Sequence, residues 1–203
     1  MTTRIAEIIE ASTQQVVAAS YELLDAPAFG SLVRITTSDA QVHVYAVVYD
    51  IRTQSREPGG RAIVRGKSYT GHALYDDEIY RAHPDLREVL QTEFGAWVVG
   101  YQRGDVIAHR LPALPPPVHY TVSACDEAEL RRFGAQFGYM RMIVQAAHLP
   151  GDELLAALIR QIAAAHGSDA RAYVVRAGRE LAVLLRDDFE RLRQLLTQIR
   201  IDV

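Results

Sequence analysis

Few clusters in this chain have residue types suited to chemistry. Between Ile51 and Gly71 the sequence carries Arg52, Arg56, Arg61, Arg65 and Lys67 against a single acid, Glu57. Cations gathered on so short a stretch can meet a polyanion, because each neutralised phosphate releases condensed counterions and adds affinity. These five residues are the candidate polyanion-binding set. The same stretch holds Gly66-Lys67-Ser68, the end of a phosphate-cradling loop. Such a loop needs a glycine five places before Gly66 so that its amides can wrap the phosphates, and position 61 is arginine. A nucleotide-binding P-loop is not expected.

Asp76-Asp77-Glu78 is a carboxylate run that could draw Mg²⁺. Adjacent helical positions point in different directions, and acids in a first helical turn are explained by the helix dipole. The seven histidines (43, 72, 83, 109, 119, 148 and 166) show no zinc-site spacing. His119 and Cys125 could form a thiolate pair, but no third group is placed to orient the imidazole. Neither a nucleophile elbow nor a dinucleotide-binding glycine pattern is present. No catalytic, cofactor-binding or metal-ligating residue is assigned, and no cofactor is expected.

The elements that must position these residues divide the chain at Leu111-Pro112-Ala113-Leu114-Pro115-Pro116-Pro117. Proline fixes φ and removes a donor, so this run reads as an extended connector, with one domain over 1–117 and another over 118–203. Before it, short β-rich runs open at Ile5, Val16 and Gly30, and a longer one covers 42–49. The last is apolar on both faces of its pleat, the mark of a central strand. Pro58-Gly59-Gly60 makes 51–71 an exposed, mobile basic loop. A helical insertion over 76–91 should break at His83-Pro84, and the strand Phe94–Gly100 should form a hairpin with Val106–Ala108 through the turn at Gln102-Arg103-Gly104-Asp105. After the connector, Asp126 and Glu129 have capping-box spacing at the head of a helix running to about residue 147. A second helix follows Pro150-Gly151. Ala172–Val175 and Leu181–Leu185 read as a β-hairpin, and Asp187 with Glu190 starts a last helix striped by Leu192, Leu195, Leu196 and Ile199. The expected class is α+β: a small antiparallel β-barrel followed by an α-α-β-β-α segment.

Composition sets the outer limits. With 203 residues, 49% of them hydrophobic, the chain can bury a real core, and a net charge of −3 gives no global field to attract a polyanion. Cys125 is the only cysteine, so no internal disulfide can form; with no leader-like pattern at the start, a cytoplasmic location is expected. No apolar run approaches the roughly 20 residues of a membrane span.

The strand and glycine pattern of residues 4–120 resembles the HAS barrel, shared by HerA-type DNA translocases and the N-terminal crowns of rotary ATP synthase subunits. The resemblance is carried by Ile5–Ser12, Val16–Ala19, Phe29–Ile35, the strand ending Val47-Val48-Tyr49-Asp50, and the later pair Trp97–Tyr101 and Ile107–Pro112. It implies a ring-forming or docking collar rather than an engine, of the kind on which a NurA-type nuclease docks. The family's ATPase chemistry belongs to a following P-loop domain, and 118–203 has no such motif. The expected role is a non-enzymatic assembly or docking module, accessory to a DNA-processing ATPase or nuclease, with a protein partner or self-association and no membrane. The alternatives are nucleic-acid binding through residues 52–67 and metal-dependent hydrolysis at Asp76, Asp77 or Glu78.

Overall fold

The computed structural model describes residues 3–66 and 73–200. Strands β1 (Arg4–Ala11), β2 (Gln15–Ser20), β3 (Leu32–Thr36), β4 (Val42–Ser55), β5 (Leu90–Arg103) and β7 (Thr121–Ala124) close an antiparallel barrel in the cyclic order β2-β1-β7-β3-β4-β5. Strand β6 (Val106–Ala108) lies along the C-terminal end of β5, joined by a turn at Gly104 with φ 56°. The strand that completes the wall between β1 and β3 therefore comes after the proline-rich connector.

Alternation along the strands sorts side chains to two cores. Ile8, Val33, Val44, Val48, Phe94, Val98 and Val122 fill the barrel together with Ala6, Ala18, Ala46 and Ala96, small residues that leave room for the larger ones. Leu32, Tyr45, Val47, Trp97 and Val99 point outward from β3, β4 and β5 and belong to the second core, shared with the helices. Strand β4 is thus buried on both faces, as its unbroken apolar run requires.

Helices α3 (Glu127–Phe133), α4 (Gly138–Val144), α5 (Gly151–Ala165), α6 (Ala170–Leu184) and α7 (Phe189–Gln198) form the second layer. Here α1 and α2 denote Asp77–Ala82 and Leu86–Val89, the short helices on either side of His83-Pro84. Helix α5 is the hub. Its Leu154, Leu155, Leu158, Ile159 and Ile162 are buried, and α3, α4, α6 and α7 all pack against it.

Several local expectations need correction. The anticipated hairpin at 172–185 is one continuous helix, α6: Tyr173, Ala177 and Leu181 recur every four residues and bury one face, a helical period that outweighs the local β-preference of Val174 and Val175. Gly178, read as a turn, lies mid-helix, where an added Cβ would come 3.2 Å from Leu196 Cδ2. The long helix expected from Asp126 is two, α3 and α4, interrupted between Gly134 and Phe137. The close packing of Gly134 against Ile162 leaves no room there for a side chain. The last helix is capped by Asp188, whose carboxylate accepts from the Arg191 amide, one residue later than expected. The capping box of α3 is present as read, with Asp126 accepting from the Glu129 amide at 2.9 Å and Glu129 accepting from the Asp126 amide at 3.2 Å.

Candidate interaction surfaces

The basic stretch begins on a strand rather than in a loop. Beyond the barrel wall β4 continues, pairing with β5 from Ile51↔Phe94 to Ser55↔Leu90; β3 has already ended its pairing, and β2 stays on β5 only as far as Ala19↔Glu93. The result is a two-stranded arm that carries residues 56–66 and the helices α1 and α2.

On this arm the cations are largely engaged within the molecule. Arg52 Nε donates to Glu93 at 3.2 Å, and Arg65 pairs with Asp85 at 3.3 Å. Arg56 donates to the Leu90 and Arg87 carbonyl oxygens at 3.1 and 3.2 Å. Arg61 has no ion pair or hydrogen bond among the described residues, and Lys67 lies outside them, as does His72.

Glu93 was not legible as special in the sequence. Its carboxylate is buried on the outer face of the arm's base, where Arg52, Gln54 and Gln91 all donate to it. Nearby, Thr92 Oγ1 accepts from the Leu24 amide at 2.8 Å and meets Thr53 Oγ1 at 2.9 Å. A buried carboxylate needs this number of donors to offset its lost hydration. A carboxylate standing directly ahead of the apolar run 94–99 was the available signal.

Between the strands and helices of the arm lies a groove of about 760 Å³, whose apolar lining includes Ile63, Val64, Leu74, Tyr75, Ile79 and Val89. Ile63, Val64 and Tyr75 are strongly exposed, Val64 at 84%. Arg61, Arg65, Glu57 and Asp76 stand among them, so the groove has no strong field of either sign.

Asp76, Asp77 and Glu78 are all exposed at the start of α1, and Glu78 accepts from the Tyr75 amide at 3.4 Å. Among the described residues no group of three or more His, Cys, Asp or Glu side chains is arranged to hold a metal ion. His119 and Cys125 do not pair with one another. His119 Nδ1 meets Glu7 Oε1 at 2.5 Å on the barrel surface, whereas Cys125 packs against the core shared with the helices. Burial, with Glu129 adding to it, pushes the Cys125 thiol well up, so it is held as the weakly nucleophilic thiol. Glu129 is itself buried and takes Arg34 Nη1 at 2.7 Å, linking β3 to the head of α3. Where α4 and α6 meet, the Tyr139 and Tyr173 hydroxyls lie 2.8 Å apart, and burial pushes Tyr173 up to about 12.

Residues 5–104 match the model of the HAS barrel domain. This part of the chain is a HAS barrel. The domain is associated with HerA- and ATP synthase-type proteins. The match runs from β1 to the turn after β5 and takes in the whole arm; β6, β7 and the helical layer lie beyond it. A comparison with curated proteins finds no match. No helix of the described residues is long and apolar enough to cross a membrane.

Proposed function

We propose that the chain is a non-enzymatic assembly and docking module, accessory to a DNA-processing ATPase or nuclease. The observation that carries this reading is the arm: a HAS barrel wall extended into a two-stranded projection whose end exposes Ile63, Val64 and Tyr75 around an apolar groove. Apolar side chains grouped on one projection, rather than scattered singly, mark a contact surface. The barrel itself is filled by its own side chains and acts as the rigid mount.

Nucleic-acid binding through residues 52–67 is the weaker alternative, because Arg52, Arg56 and Arg65 already have intramolecular acceptors that a phosphate would have to displace.

The test is the mass of the purified chain across concentration, together with capture of protein partners by the wild type and by an Ile63→Asp/Val64→Asp variant. Capture or self-association that the variant loses, at an unchanged unfolding midpoint, supports the reading. A chain that remains monomeric and captures no protein overturns it.

A further inference from the structure

The charge of the chain is not spread evenly over its surface. On the β1–β2 hairpin and the turn after it, Arg4 stands against Glu7, Glu10, Glu22 and Asp25. On α6 itself the balance is reversed: Arg171, Arg176 and Arg179 stand against Glu180, and in the turn after it Arg186 is paired with Asp187 at 3.3 Å.

Topology puts β1 and α6 on opposite sides of the molecule, with β2 running beside β1 toward the base of the arm. Around the barrel β1 is three strands from β4 in either direction. The outer face of β4 is the one covered by the helices, where α6 packs on α5 rather than on the barrel. The acidic wall therefore faces away from the helical layer, and α6 is part of that layer's outer surface.

Both surfaces hold unpaired charge and exposed apolar groups. Helical spacing sets Arg171, Val175, Arg179 and Ala182, all exposed, on the face of α6 opposite the buried Tyr173, Ala177 and Leu181, with Val183 (71% exposed) beside them. Arg171 and Arg179 make no ion pair or hydrogen bond among the described residues, whereas Arg176 is taken up over the rings of Phe137 and Tyr173. On the hairpin wall, alternation turns Glu7 outward, the bulge between Ile8 and Glu10 resets the alternation so that Glu10 is exposed as well, and Tyr21 and Leu24 are exposed where β2 ends, Leu24 at 58%. The side chains of Glu10, Glu22 and Asp25 have no hydrogen-bond or ion-pair partner among the described residues. The two surfaces also agree in length. Ile5 to Glu10 spans roughly 17 Å of strand, and Arg171 to Val183 roughly 18 Å of helix.

We infer that copies of this chain associate head to tail, the acidic β1–β2 wall of one seated on the basic outer face of α6 of the next. This rests on the assembly reading above and locates the self-contact outside the apolar groove of the arm, which stays free for a different protein. A polyanion would use Arg171 and Arg179 but would give no role to Val175, Val183 or the acidic wall. A second copy accounts for all of them. Because the contact joins two different surfaces on opposite sides, it repeats from copy to copy instead of closing on itself as a two-fold pair.

Neutralising either surface tests this. The variants are Arg171→Gln/Arg179→Gln and Glu10→Gln/Glu22→Gln, each checked for an unchanged urea midpoint and followed by analytical ultracentrifugation at low and high salt. The wild type is expected to grow in mass with concentration at low salt and to dissociate at high salt. Each variant alone should associate at least about tenfold more weakly, the size of a 1.4 kcal/mol loss. An equimolar mixture of the two should give a two-chain species and nothing larger, since one intact acidic and one intact basic surface remain between them. If the wild type associates and both variants associate equally well, this contact is wrong while the assembly reading stands. A monomeric wild type that still captures a partner through its arm has the same consequence. A monomeric wild type with no captured partner ends both.

Discussion

The Leu32 amide donates to Gln161 Oε1 at 2.9 Å, tying the first residue of β3 to the helix that covers it. Two residues earlier Gly30 lies against α5, where an added Cβ would sit 2.2 Å from the Ala157 Cβ. Gly30 also has φ 81°, a conformation that other residues adopt only at a cost. Barrel and helical layer thus meet at a point that admits no side chain.

Gly30→Ala should therefore cost about 2–4 kcal/mol, combining left-handed backbone strain with overpacking. Urea denaturation gives the value. A loss below about 0.5 kcal/mol, the range of an ordinary surface substitution, would show that α5 is not seated as described.

Glu93 and Arg52 should be unequal when removed singly. Glu93→Ala leaves three donors without their acceptor and should cost about 1–3 kcal/mol. Arg52→Ala removes a half-exposed side chain while Gln54 and Gln91 still serve the carboxylate, so it should cost less than about 1 kcal/mol. Thermal or urea midpoints decide the order, and a larger loss for Arg52→Ala would reverse it.

Acid should weaken the fold through its histidines. Burial among Phe133 and Tyr139 drives His109 down to about 4, against a Phe133 backbone hydrogen bond that acts the other way. Between the ordinary histidine value near 6.5 and about 4, the unfolded chain binds a proton that the folded chain refuses, so stability falls as pH drops through this window. Burial lowers His43 and His166 as well, in the same direction. The urea midpoint should decrease steadily from pH 6.5 to pH 4. His109→Gln should flatten the slope without abolishing it, and an unchanged slope would mean that His109 takes up its proton as readily in the folded chain as in the unfolded one.

The sequence was most informative where one local rule acted alone. The double-faced run 42–48, the capping box at Asp126 and Glu129, and the leucine face of α5 each took the form their residues demand. It was least informative where packing overruled a local preference. The β-branched pair Val174-Val175 sits in a helix because Tyr173, Ala177 and Leu181 are held against α5, which only tertiary structure supplies. The arm was hidden for a similar reason. Arg52, Thr53 and Gln54 look like a polar loop until Gln91, Thr92 and Glu93 are seen pairing with them across some forty intervening residues. Only the arginine-rich composition of 52–65 was visible beforehand, not the acceptors that take up Arg52, Arg56 and Arg65.

The late arrival of β7 bears on how the chain is made. Thr121–Ala124 is inserted between β1 and β3, both synthesised long before it. Until that segment leaves the ribosome, the nascent cylinder has a gap with two unsatisfied margins, each able to recruit a stray strand from a neighbouring chain. A fragment cut at the proline run would keep that gap permanently, so shortened versions of the protein for biochemical work should retain residues through Ala124.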